Sequence, residues 1–371
     1  MAADFFQKRQ EINLSYPTHS GMDSDPNKNA DVSNPPTPRY FCGELVKSGA
    51  FPGVNPNVLV SKTRVWRDGK EMITEVNGLF PDGAVSSITP STSNVDTGGI
   101  KSRLWKTACS LTMFTFGMGA KFILCGMNTT IVHGQENLNA VWYREPGRPL
   151  LSVINHNSCF DDPGIWGAAL SPMQLFDSIK MRWGAAASEV LFSNMPLSTF
   201  YSLGKVVPIV RGWGVYQPAM EFLLERLNGG GWINIFPEAR VNSDGRYIRY
   251  KWGVGRLLWD CTNSPLVLPV VHMGMSNVLP NPGVGEKQTA IVRPGNLVTV
   301  NFGHPVDLSK LLKRLRKANV DNEEARRCVT EEVQKIMDEL HHETKKLHYN
   351  NIIKWTSRWH DKFDLIPSIL T

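Results

Sequence analysis

Several signatures are missing from these 371 residues, and each absence closes a route. There is no C-x-x-C pair, no H-E-x-x-H and no glycine-rich phosphate loop ending in Gly-Lys-Ser/Thr. The six cysteines (Cys42, Cys109, Cys125, Cys159, Cys261 and Cys328) have no paired spacing, so zinc and a disulfide framework are set aside and the thiols are predicted reduced and mostly buried. His341, His342, Glu343 and His348 look metal-like, but their spacing does not put two imidazoles on one helical face, so a solvated charged helix is expected there and no metal. Charge of one sign is also scarce. Forty Lys/Arg against 34 Asp/Glu leave a net +6 with no basic stripe, which argues against nucleic acid and suits an anionic membrane surface or a phosphate-bearing substrate. The start has no apolar signal core, and Asp4, Glu11, Asp23 and Asp25 contradict an acid-poor transit peptide.

A long hydrophobic run is missing too. The most apolar segment, 108–127, has 13 residues before Lys121, whereas a span needs about 20. A core helix, a transmembrane helix and a helix dipping into one leaflet compete for it. Lys101, Arg103, Trp105 and Lys106 at its start favour the dipping helix.

What is present divides the chain. Residues 1–100 read as a largely disordered or weakly structured extension, polar over 20–39 and 86–99, with a short hairpin expected from 58–60, Val65 and 72–76. Residues 101–130 are the membrane-interfacial helical segment. From 131 to 307, β-branched runs alternate with helix-like segments, the pattern of an α/β fold with a mostly parallel sheet flanked by helices. Residues 308–371 read as C-terminal helices packing on that domain. Asp321-x-x-Glu324 would open the second of them, and 352–363, with Trp355 and Trp359, would form a last amphipathic piece.

Four apolar runs end in polar residues. Residues 150–154 lead through Asn155 to His156, 206–210 lead to Arg211, 232–236 lead to Pro237 and Glu238, and 266–271 lead to His272. In a parallel sheet the carboxyl ends of the strands share one edge, where ligand sites form. His156 and Asp161 would point about 140° apart on one regular helix and could not pair there. Asp162 before Pro163 instead reads as a helix cap, which leaves His156 on the preceding loop with Asp161 able to reach its ring. Such a pair suits general-base activation of a substrate hydroxyl. Ser158 and Cys159 lack the flanking glycines of a nucleophile elbow. Arg211, in RGWGVYQP, can meet a phosphate. Glu238, in FPEARVN, can hold Arg211 or bind a glycerol hydroxyl, and Arg240 can add charge.

The order His-x-x-x-x-Asp, strand-then-Arg, Phe-Pro-Glu and proline-bearing strand (267–271) resembles the glycerolipid acyltransferases. The runs HNSCFDDPGIWG, MRWGAAASEVLFSN, VVPIVRGWGVYQP, INIFPEARVN, YKWGVGRLLWDC and HMGMSNVLPN are similar to the cardiolipin-remodelling branch of that family, over roughly 101–310. The resemblance implies a glycerol-phosphate acyltransferase-like fold and a transacylation that exchanges chains between phospholipids and lysophospholipids without coenzyme A or any other cofactor. It names cardiolipin, monolysocardiolipin and phosphatidylcholine as partners, and a place on mitochondrial membranes facing the intermembrane space, with a homo-oligomer left open. It carries the catalytic pair to His156 and Asp161, and head-group contacts to Arg211, Glu238 and Arg240. One departure stands out: the family pattern has glycine after Phe-Pro-Glu, where this chain has Ala239. An alanine resists backbone angles that glycine accepts, so a changed turn is expected, with the role of Arg240 most exposed to it.

Overall fold

The apolar runs pair into one central sheet. The structure is a computed structural model that describes residues 63–67, 70–74, 100–192, 195–242, 246–281 and 291–363. The polar stretches 20–39 and 86–99, residues 58–60 and 75–76, and Cys42 lie outside the described residues. Near the N-terminus β1 (Thr63–Arg67) and β2 (Lys70–Thr74) form an antiparallel hairpin with Val65 opposite Met72.

The main sheet runs β3 (Thr129–His133), β9 (Leu297–Phe302), β8 (Leu266–Met273), β4 (Leu150–Ile154) and β7 (Trp232–Ile235), with the two-residue β10 (Val306–Asp307) against the start of β8. The parallel pair β5 (Gly184–Ala187) and β6 (Val206–Ile209) joins β7 through Trp183, which donates to Trp232 O at 2.8 Å and accepts from Asn234 N at 2.7 Å. β3 pairs β9 and β4 pairs both β7 and β8 in parallel, while β8 meets β9 antiparallel. The sheet is mostly parallel with one reversal between long strands.

Both faces are covered, which is why these strands read as unbroken apolar runs rather than alternating ones. Leu150, Ile154, Leu268, Val270 and Val300 point to one side, beneath α1 (Ile100–Lys121), α2 (Gln135–Trp142) and α3 (Asp161–Ala169). Leu151, Val153, Ile233, Val267 and Val271 point to the other, beneath α7 (Pro218–Asn228), α8 (Gly253–Asp260) and α11 (Asn322–Phe363). Each fully buried aliphatic side chain is worth about 1.5–3 kcal/mol. α4 (Pro172–Phe176) and α9 (Met275–Val278) join the first side through Leu175, Met275 and Val278, α10 (Ser309–Lys317) joins the second through Leu312, and α5 (Ser188–Leu191) and α6 (Met195–Leu203) connect β5 to β6.

The final helix departs from the expectation of separate pieces, because α11 runs unbroken from Asn322 to Phe363. Val329, Val333, Met337 and Leu340 fill the core at helical spacing; further on, Asn351 and Trp355 donate to the hydroxyls of Thr299 and Thr129. Asp321 caps it through Glu323 N, at 2.9 Å, while Glu324 turns out to Arg327, so the reciprocal half of the capping box is not formed. Nor is the histidine cluster fully solvated: His348 Nδ1 lies 2.9 Å from the Thr299 hydroxyl. The thiols also differ from expectation. Of the five described, Cys109 and Cys261 are buried, but Cys125 and Cys159 are exposed.

α1 continues through a π-helical turn, Phe122–Met127, and crosses α3 at very close range. A Cβ on Gly167 would sit 2.7 Å from the Gly117 carbonyl, so only glycine permits this approach. The opposite stripe is uncharged and open to solvent: Leu104 is 64% exposed, Leu111 53% and Phe122 66%.

Candidate active site

β4, β7 and β8 carry their last residues to one edge, and the loops there are stitched together. Asn155 exchanges two hydrogen bonds with the His272 main chain, donating to its carbonyl at 3.1 Å and accepting its N–H at 2.9 Å. The His156 carbonyl accepts from Asn242 N at 2.6 Å, and the His156 N–H donates to Glu238 Oε1 at 3.0 Å. The Phe-Pro-Glu loop therefore holds the histidine loop in place.

His156 Nδ1 lies 2.9 Å from Asp161 Oδ2. That oxygen also accepts the N–H groups of Asn157, at 2.7 Å, and Ser158, at 2.8 Å. Its partner Oδ1 faces His272 Nε2 at 3.4 Å. Burial alone would raise the Asp161 pKa. The charge of His272, hydrogen bonds from His156 and His272, and the charge of His156 outweigh it and hold the carboxyl at about 2. A carboxylate so charged requires Nδ1–H on His156, which leaves Nε2 with its lone pair and no protein partner among the described residues. The side chain is 20% exposed, and its ring stacks on Phe236 with centroids 4.2 Å apart. That geometry suits an imidazole base facing outward.

The helix start differs from expectation. α3 begins at Asp161 rather than Pro163, and Asp162 is not its cap. The Asp162 carboxylate turns inward to Arg182 and accepts from Asn234 Nδ2, at 2.9 Å, and Trp166 Nε1, at 3.1 Å. A guanidinium and two N–H groups win it from the helix backbone.

His272 differs as well. It lies inside β8 and is completely buried, behind the rim. Its Nε2–H faces two acceptors, Asp161 Oδ1 and Asn155 O, the latter at 3.0 Å. Burial works to lower its pKa, but Asp161 beside it raises the net value. The signal for it was the period of two: His272 shares parity with Leu268 and Val270, on the face toward α3.

Glu238 is only 6% exposed. Beyond its bond to His156, its Oε2 is buried without a hydrogen-bond partner, and burial raises its pKa. Ala239 takes φ +57, the left-handed turn that the family pattern fills with glycine, so the turn is kept at some strain and Arg240 stays exposed beyond it. Arg211 is exposed after β6, three strand positions from β4, or roughly 14 Å along the same edge. Ser158 is fully buried and donates to the Leu279 carbonyl at 2.9 Å, which removes it as a nucleophile.

Residues 129–273 match the Acyltransferase family model. The chain is 37% identical to Tafazzin of Drosophila melanogaster over 67% of its own length and 64% of that protein. The stretch 129–273 is thus an acyltransferase-family segment within the chain. The chain is 43% identical to Taffazin of Dictyostelium discoideum over 44% of its length and 59% of that protein. It is 36% identical to N-acylphosphatidylethanolamine synthase of Arabidopsis thaliana over 51% of its length and 66% of that protein. It therefore spans less than two thirds of each of these relatives. The acyltransferase segment contains His156, Asp161, Arg211, Glu238, Arg240 and His272; α1 and α11 lie outside it.

Proposed function

We propose that this chain is a phospholipid–lysophospholipid transacylase in which His156 is the general base and Asp161 fixes its tautomer. The observation that carries this reading is His156 Nδ1 held at 2.9 Å by a buried carboxylate, with Nε2 open at the carboxyl edge of the sheet. Nε2 takes the proton of a lysophospholipid hydroxyl as its oxygen attacks the ester carbonyl of a donor phospholipid. The collapsing intermediate takes that proton back onto the departing lysophospholipid. One ester replaces another of similar free energy, so no activated donor is required, and the enzyme needs only to lower the barrier. Arg211 and Arg240 receive phosphates. Glu238 acts through the His156 backbone rather than on the lipid. On the resemblance carried by the sequence runs, the exchanged lipids are cardiolipin and monolysocardiolipin, with phosphatidylcholine as donor, on mitochondrial membranes facing the intermembrane space.

Membrane contact belongs to the same reading. Among the described residues Arg103–Met127 is the one helix long and apolar enough to cross a bilayer. One face of it is fixed to α3, α4 and α6, so crossing would drag those helices into lipid. Its open stripe continues into Phe176 and Phe200, which pack on Phe114 and Phe116. This arrangement supports a helix lying in one leaflet.

The test is purified protein in vesicles with acyl-labelled phosphatidylcholine, monolysocardiolipin and no coenzyme A. Label should move to cardiolipin; movement only on adding acyl-CoA would remove the transacylase reading. The Arabidopsis thaliana relative named N-acylphosphatidylethanolamine synthase favours a second acceptor, the phosphatidylethanolamine amine. Supplying that lipid in the same assay distinguishes the two. Resistance to carbonate extraction tests the leaflet helix, and organelle fractionation tests the location.

A further inference from the structure

At the edge opposite His156, where β4, β5, β6 and β7 begin, lies a cavity of about 600 Å³. Its walls bring together five cations, Lys106, Arg144, Lys180, Lys205 and Arg226, and only two carboxylates, Glu145 and Glu225. Lys205 is 6% exposed, and its backbone is held at φ +58, a conformation that L-residues rarely adopt. Its ammonium donates to the carbonyls of Ser178, at 2.7 Å, and Met181, at 2.6 Å, and stands 5.0 Å over the Trp183 ring. Among the described residues no carboxylate lies within ion-pair distance of it. The guanidinium of Arg144 is likewise engaged only with carbonyls, those of Val141, Arg148 and Gly230. Arg226, with a side chain 5% exposed and a buried Nε that has no hydrogen-bond partner, is answered only by Glu225, an ion pair at 3.7 Å among the described residues.

Carbonyls satisfy N–H groups but do not neutralise charge, and uncompensated buried cations are costly. Burial pushes the Lys205 ammonium down to about 7. An anion in the cavity would supply the missing charge. The lining includes Trp105 and Lys106 at the start of α1, beside the apolar stripe of that helix, where a lipid head group would arrive with its chains alongside. The volume is ordinary for a small-ligand site.

We propose that this cavity is a second ligand site, separate from the His156 edge, which takes the phosphate of an anionic phospholipid. Five strand residues, roughly 17 Å, separate it from His156, so one head group cannot occupy both. The site stands on this cavity alone and does not depend on the transacylase reading.

Trp105, Trp142, Trp183 and Trp232 line the cavity, so intrinsic fluorescence of the full chain reports on it. Titration with dihexanoyl phosphatidylglycerol should give a saturable change, about tenfold weaker with dihexanoyl phosphatidylcholine. Lys205→Gln should weaken it about tenfold, as should the pair Lys106→Gln and Lys180→Gln, whose members are less buried and are the control if the first variant misfolds. His156→Ala should leave it unchanged. Equal affinity for glycerol 3-phosphate would keep the phosphate site but overturn its assignment to a lipid. No saturable change, equal binding by the charge variants, or loss in His156→Ala would overturn the site itself.

Discussion

His272 and His348 are both withdrawn from water, and their pKa values move in opposite directions. Desolvation penalises the imidazolium at each. At His272, Asp161 stands 3.4 Å away and its charge more than compensates, so the pKa rises although the residue is completely buried. At His348 the ring meets the Thr299 hydroxyl, and burial alone drives the pKa down to about 4. The carboxyl edge of the sheet is thus a place where buried charge is answered by charge. The α11–β9 contact is a place where it is not. The difference identifies Asp161 as the residue that makes the edge: it orients one imidazole and stabilises the charge of another.

The strongest way to break this comparison is to neutralise the carboxylate. Asp161→Asn frees His156 to adopt the wrong tautomer and leaves His272 without its counter-charge. Transacylation should fall by about 10²–10⁴, and unfolding free energy by about 3–5 kcal/mol. His156→Ala should cost the same activity yet less stability, because that ring is partly exposed. Urea titrations beside the lipid-exchange assay separate the two. Equal stability losses would mean that Asp161 matters only through His156.

The uncompensated histidine gives the next largest effect. With a folded pKa of about 4 against 6.5 unfolded, the unfolded chain binds more protons between those values, so stability is full above pH 6.5 and falls as pH drops toward 4. The loss is about 3 kcal/mol from this group. His341, lowered by burial and by the charges of His342 and Lys345, adds to it in the same direction. His348→Gln should flatten most of the slope in denaturant midpoints measured from pH 7 to pH 4. An unchanged slope would place the acid sensitivity elsewhere.

The sequence made the compensated edge partly legible. The runs ending at Ile154, Val210, Phe236 and Val271 correspond to β4, β6, β7 and β8, since strands covered on both faces are continuously apolar. His156 and Asp161 could be paired because five residues forbid a shared helix and a loop allows contact. What stayed hidden depends on partners distant in the chain. Asp162 reads as a cap until Arg182, twenty residues on, takes its carboxylate. Glu238 reads as a substrate ligand until the His156 N–H, 82 residues before it, is found on its oxygen. The continuity of α11 was invisible for a similar reason. Its second half is held by polar contacts to Thr299 and Thr129, which leave a weaker period than a hydrophobic face.

The smallest effect sharpens the comparison by asking whether the site edge carries strain as well as charge. Ala239 holds φ +57 directly after Glu238, which anchors the His156 backbone. A left-handed alanine suffers Cβ crowding that glycine lacks, while glycine loses more backbone freedom on folding. The first effect outweighs the second, so Ala239→Gly should stabilise the fold by about 0.5–1 kcal/mol, seen as a higher urea midpoint with unchanged slope. Because the turn already has the glycine-like conformation, lipid exchange should stay within about twofold, less than 0.5 kcal/mol in the barrier. A destabilised variant would show that packing around the Ala239 methyl, rather than its backbone angle, holds the Phe-Pro-Glu loop against His156.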